Sequence, residues 1–167
     1  TVELTYDMSD NDGGTASSKV SFTATASNDA PIVAVDTAAT NENKAISVNV
    51  LANDADVDLS NTHTVGGVSV TSGAGTASIV SNQVQWSTGT DYDYLAVGET
   101  ATVELAYDMS DNDGGAASST VSITVTGSNN APIATVDTAT TNENTAISVN
   151  VLANDFDVDL SLSLIPL

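Results

Sequence analysis

Short stretches in which apolar residues alternate with Ser, Thr, Asn or Gln recur along the chain, separated by clusters of Asn, Asp, Gly and Ser. Between residues 28 and 128 this pattern predicts seven strands, at 32–35, 46–50, 68–71, 76–80, 84–86, 102–107 and 121–126. Period-two alternation of β-branched residues suits a pleated sheet with one buried and one wet face. Residues 92–95, just before Gly98, read as one short helical turn, and no other segment carries a long 3.6-residue period. Seven short strands bounded by turn residues predict an all-β sandwich.

The pattern also repeats. Residues 1–60 align with 102–161 at 48 of 60 positions, an offset of 101. Such a period exceeds the roughly 20–50 residues of solenoid repeats and matches one folding domain. The chain therefore reads as the C-terminal part of one repeat (1–27), a complete repeat (28–128) and the N-terminal part of the next (129–167). Residues 162–167 depart from the equivalent 61–66 and are read as a chain end or sequence-fragment artefact rather than a functional tail.

Naming the predicted strands A to G and alternating their direction assigns the loops to two poles. The entry pole gathers the linker with Asn28 and Asp29, the B–C loop with Asp54, Asp56 and Asp58, and the F–G turn with Asp108, Asp111 and Asp113. The F–G turn of the preceding unit carries Asp7, Asp10 and Asp12. The exit pole gathers Glu42 in the A–B turn, Asp91 and Asp93 in the E–F segment, and the linker residues Asn129 and Asn130. There they meet Asp155, Asp157 and Asp159 of the next unit.

Composition gives this placement its chemistry. The 167 residues hold 22 Asp plus Glu against 2 Lys plus Arg, a net charge of −20, with one histidine and no cysteine. Nucleic acid and anionic membranes both require clustered basic residues, so neither is an expected partner. No apolar run approaches the ~20 residues needed to span a bilayer, and the first residues lack the pattern of a signal peptide. Of the 22 acids, 17 fall at the poles. Like charges about 5 Å apart repel by roughly 0.8 kcal/mol even at the dielectric of water, and by more where shielded from it. Two lysines cannot neutralise them. A hard divalent cation can, and Ca²⁺ takes 6 to 8 oxygens of the kinds these loops offer, from carboxylates, Asn amides and backbone carbonyls. Asp-x-Asp-x-Asp at 54–58 and Asp-x-Asp-Gly at 111–114 present alternate carboxylates towards one centre. An ordinary Asn-Asp-Gly turn and a solvated acidic loop are the competing readings, as is surface acidity for solubility. Clustering at the poles favours calcium.

At these residues the chain resembles known repeats. Tyr94-Leu95-Ala96-Val97-Gly98-Glu99-Thr100, Tyr107-Asp108-Met109-Ser110-Asp111-Asn112-Asp113-Gly114-Gly115 and Thr124-Val125-Thr126-Gly127-Ser128-Asn129-Asn130-Ala131-Pro132 are similar to the VCBS repeats of bacterial surface proteins. Thr40-Asn41-Glu42-Asn43 and Val50-Leu51-Ala52-Asn53-Asp54-Ala55-Asp56-Val57-Asp58 resemble the overlapping bacterial cadherin-like and Ig-like repeats. The resemblance implies an Ig-like or cadherin-like sandwich in a tandem array, an extender of RTX-type adhesins exported by type I secretion to the bacterial cell surface, supporting cell adhesion. It implies calcium at the joints, with Glu42 from one domain, Asn129 and Asn130 from the linker, and Asp155, Asp157 and Asp159 from the next domain. Its implied partners are neighbouring repeats. The second linker has Asn130 where the first has Asp29, which removes one charge from that joint.

Other chemistries lack parts. With one histidine and no cysteine, thiol–imidazole pairs and zinc sites are incomplete, so His63 reads as a loop residue and the chain as a non-enzyme. Asp91 and Asp93 have no aromatic platform beside them for sugar hydrolysis. The alternative function is a carbohydrate- or surface-binding sandwich, which requires Trp86, Tyr92 and Tyr94 to form an exposed cluster. Pairing between molecules through the partial end repeats is a third possibility.

Overall fold

β-branched residues on alternating positions, interrupted by Gly, Asn and Asp, suit strands because they fit a pleated surface that can bury one side-chain row, and the turn residues accept the geometry between them. The structure, a computed structural model, describes residues 1–58, 62–159 and 162–163. Residues 164–167, most of the departing chain end, and residues 59–61 of the B–C loop lie outside the described residues.

Among the described residues nine strands run in chain order: β1 Val2–Ser9, β2 Thr15–Phe22, β3 Asp36–Asn41, β4 Ile46–Val48, β5 Thr64–Ser72, β6 Thr76–Val80, β7 Gln83–Ser87, β8 Thr100–Ser110 and β9 Ala116–Thr126. The last seven make two sheets, β3-β9-β8-β5 and β4-β7-β6. The only parallel pair among them joins β3 to β9, from Asp36↔Val121 to Asn41↔Thr126. The fold is an all-β, Ig-like sandwich, and no helix occurs among the described residues.

Between the sheets lie Val50, Val84, Trp86, Tyr92, Leu95, Val103, Leu105, Tyr107, Val121, Ile123 and Val125, all buried. Trp86 donates its indole N–H to the Ala74 carbonyl at 3.2 Å, and the Tyr92 hydroxyl accepts the Ala74 amide at 2.8 Å. Gly75 lies against Trp86 at φ +95°, where a side chain would strike the indole. The β6–β7 hairpin turns through Ser81 and Asn82, both left-handed, as a two-residue primed turn requires.

Three expectations need correction. Residues 32–35 are not a strand: Ile32 exchanges backbone hydrogen bonds with Ala55, and the Ala34 amide donates to Asp54. With those groups committed to the B–C loop, pairing with β9 starts at Asp36, in the polar run Asp36–Asn41. Residues 92–95 form no helix but one of a series of tight turns, with Asp91, Asp93 and Leu95 each donating to the carbonyl three residues back. β8 runs to Ser110, so Asp108 is a strand residue facing Ser118 rather than part of the turn. Asp7 stands likewise in β1, opposite Ser17.

Among the described residues β1 and β2 pair only with each other, and all their residues are exposed. Residues 129–159 carry no named strand; an isolated bridge, Ile133↔Phe156, repeats the Ile32↔Ala55 bridge.

Candidate metal centre at the domain joint

The turn after β3 begins at residues that favour tight reversals. The Lys44 amide donates to the Asn41 carbonyl and the Thr40 hydroxyl to the Lys44 carbonyl. Between them the Glu42 amide reaches the Thr126 carbonyl, tying Glu42 to the end of β9. The linker starts two residues later, so its first polar side chains fall against Glu42. One carboxylate oxygen, Oε1, accepts from Ser128 Oγ at 3.0 Å, Asn130 Nδ2 at 3.1 Å and Asn43 Nδ2 at 3.4 Å.

The second oxygen is bare. Glu42 is 0% exposed, yet its Oε2 has no hydrogen-bond partner among the described residues. A buried acceptor left unpaired costs about 1–3 kcal/mol, more when charged, and is rare in folded proteins. At the same joint, Asn130 donates its backbone amide to Asp159 Oδ2 at 2.6 Å and its side-chain amide to the Asp93 carbonyl at 3.0 Å. The other oxygen of Asp159 is also buried without a partner among the described residues. Glu42, Asp93, Asn130 and Asp159 are thus linked, with two carboxylate oxygens unpaired. The remaining residues named for this pole are less engaged: Asp91 holds the Gly75 amide, Asp157 holds the Asp159 amide, Asp155 holds the Thr135 amide, and Asn129 donates to the Asn130 carbonyl.

The entry pole is built differently. The carboxylate of Asp111 accepts the amides of Asp113 and Gly115, and Asn28 Nδ2 donates to its other oxygen at 2.9 Å. The Asn28 amide, with these backbone donors, holds that carboxyl below its ordinary range. Gly115 has no room for a side chain against Asp111 and Ala30, so the linker passes close to the turn. Asp10 makes the equivalent turn in the first hairpin, accepting the amides of Asp12 and Gly14.

The three aspartates at 54, 56 and 58 do not converge. Asp54 binds the Ala34 amide, Asp56 binds the Asp58 amide and faces His63 Nε2 at 3.3 Å, and Asp58 binds the Asp29 amide. Asp54 Oδ2 is buried and has no partner among the described residues. Among the described residues no three His, Cys, Asp or Glu side chains are gathered closely enough to hold a metal by themselves. A cation at the exit joint therefore needs amide and carbonyl oxygens beside Glu42 and Asp159, the donor set calcium accepts.

Sequence reasoning missed Ser128, Asn43 and Asp36. Ser128 opens a linker that recurs as Ser27-Asn28-Asp29-Ala30-Pro31, a signal available in the repeat. Asp36 is buried at the start of β3 and accepts the Tyr107 hydroxyl at 3.0 Å, while the same hydroxyl lies 3.3 Å from the Val50 carbonyl. Burial raises the Asp36 carboxyl above its ordinary value, opposed by the tyrosine hydrogen bond. Trp86 and Tyr92 are buried, which leaves Tyr94 alone of the three rings exposed. They form no shared platform for a sugar.

The seven-stranded sandwich with its parallel first and last strands and its acidic, Asn-linked ends defines an Ig-like repeat module. Residues 28–127 match the bacterial cadherin-like domain and residues 129–166 the bacterial Ig domain. The chain belongs to the bacterial cadherin-like domain family. No curated protein matches it.

Proposed function

We propose that this chain is a calcium-rigidified extender of a bacterial surface adhesin, whose work is to set length and stiffness between neighbouring repeats. The observation that carries the reading is the fully buried Glu42 with one oxygen bare, joined through Asn130 to Asp159, which has another. A divalent cation there satisfies both oxygens and offsets the repulsion between acids of two successive units. Glu42, Asp159, the Asn130 region and the Asp93 carbonyl are the residues to hold it. Bound metal links the A–B turn of one unit to the linker and the acidic loop of the next.

Family membership supports a surface-adhesin repeat, and domains of this kind are typically structural rather than catalytic. Export by type I secretion and membership of an RTX-type adhesin belong to the same proposal. Calorimetric titration of the chain with CaCl₂ tests it, alongside Glu42→Gln. The expected result is binding that the variant weakens by at least about tenfold, since carboxylate count tunes affinity in calcium sites. Titration without heat, or a variant that binds unchanged, rejects the site.

A further inference from the structure

The two linkers differ at one chemically decisive position. Asp29 in Ser27-Asn28-Asp29-Ala30-Pro31 is replaced by Asn130 in Ser128-Asn129-Asn130-Ala131-Pro132. The backbone roles of the two residues are the same: the Asp29 amide donates to Asp58 Oδ2 at 2.7 Å, and the Asn130 amide to Asp159 Oδ2 at 2.6 Å. Their side chains cannot do the same thing. A carboxylate has no hydrogen to give, whereas the Asn130 amide donates both to Glu42 Oε1 and to the Asp93 carbonyl.

We propose that Asn130 is a metal-independent latch: its side-chain NH₂ ties the linker to Glu42 and the Asp93 carbonyl of the unit it leaves while its backbone amide holds Asp159 of the next, keeping the exit joint closed without a cation, whereas an Asp-type linker depends on one. The proposal rests on the cation reading only for what calcium adds; the latch itself is a property of the metal-free joint.

The electrostatics follow from the exchange. Two N–H groups point at acceptors that otherwise repel, and the amide adds no charge of its own. Asp at this position removes both donors and adds a negative charge beside a buried carboxylate, so the joint opens until a cation enters. One residue therefore sets how strongly a given joint answers to calcium. Joints of the two types along one array would stiffen at different calcium concentrations.

The absence of cysteine lets two spin labels be placed without background. Ser78→Cys on β6 and Ala153→Cys beyond the linker are both exposed. Distance distributions between them are measured for the otherwise native chain, N130D and N130A, in EDTA and in CaCl₂, with thermal melting to check that the sandwich remains folded. The expected result is a narrow distribution for Asn130 in EDTA and a broad one for both variants. Calcium is expected to narrow N130D, which binds it about tenfold more tightly than the native chain, and to restore N130A much less. A native distribution as broad as that of N130D in EDTA overturns the latch, and so do variants as narrow as the native chain. Failure of the cation reading shows itself separately, as calcium-independent distributions with the EDTA difference intact.

Discussion

The hairpins β1–β2 and β8–β9 are nearly the same sequence in two situations. Their registers correspond residue for residue: Val2↔Phe22 matches Val103↔Ile123, and Ser9↔Thr15 matches Ser110↔Ala116. Yet Leu4 is 55% exposed where Leu105 is 0%, and Tyr6 is 45% exposed where Tyr107 is 1%. Hairpin geometry is thus local, set by the Asp10 or Asp111 turn and the cross-strand ladder. Burial is not local: it comes from β3, β5 and the second sheet, which only the second hairpin has. The C-terminal segment makes the converse point. Its A–B turn re-forms, with Thr141 Oγ1 donating to the Thr145 carbonyl as Thr40 does to Lys44. Residues 137–142, which correspond to β3, form no strand, and no β9-like strand pairs with them among the described residues.

The largest test of this contrast is a matched pair of truncations. Leu105→Ala is expected to cost about 2–5 kcal/mol in urea unfolding, as a cavity in a packed core, while Leu4→Ala changes it by less than about 0.5 kcal/mol. Equal effects would mean that the first hairpin is packed as the second is.

Gly127→Ala ranks next. A side chain there collides with the backbone oxygens of Leu95 and Ala96, so a loss of about 1–3 kcal/mol is expected from thermal melting. The equivalent residue after the first hairpin is already Ala26, and replacing it by glycine should leave the melting temperature almost unmoved.

Tyr107→Phe removes a hydroxyl bound to Asp36 and is expected to cost about 1–2 kcal/mol, against nothing measurable for Tyr6→Phe. The pair also carries a pH signature. Burial, reinforced by the hydrogen bond to Asp36, pushes the Tyr107 hydroxyl above its ordinary value of 10.0. The folded state therefore keeps a proton that the unfolded chain releases. Stability from this group is full below the ordinary value and falls as pH rises from there through the raised one. Melting temperatures between pH 8 and about 11 should decline more steeply in the native chain than in Tyr107→Phe.

The smallest effect is expected at the linker. Asn28→Ala removes the leading cause of the lowered Asp111 carboxyl, which should return towards its ordinary value in an NMR titration. The Asp111 contribution, present above the ordinary value and lost as pH falls through the lowered one, then disappears at a higher pH.

Much of this architecture was legible in the residues. The strands at 76–80 and 84–86 followed directly from alternation, and the assignment of loops to poles followed from strand direction; Asn28 does meet Asp111, and Glu42 does meet Asn130. Ile32-Val33-Ala34-Val35 reads as a strand from its run of β-branched and apolar residues but gives its hydrogen bonds to the B–C loop, whereas Asp-Thr-Ala-Ala-Thr-Asn is an edge strand chosen by its neighbour. The convergence of Asp54, Asp56 and Asp58 failed for a related reason, since each found a different backbone amide. Alternation and spacing describe neighbours along the chain. The partners of the Glu42 carboxylate lie 86 and 88 positions away, which no local pattern encodes.

One feature of the sheet bears on what happens under load. β3 leads away from the entry linker and β9 leads into the exit linker, and the two lie side by side in parallel through six paired positions. Tension applied through the two linkers draws these strands past each other along their length, so their hydrogen bonds are strained together in shear. A hairpin pulled from its open end parts one rung at a time instead. The parallel pair thus places a mechanical clamp on the line of force, and the sandwich resists extension through a ladder that must fail as a unit.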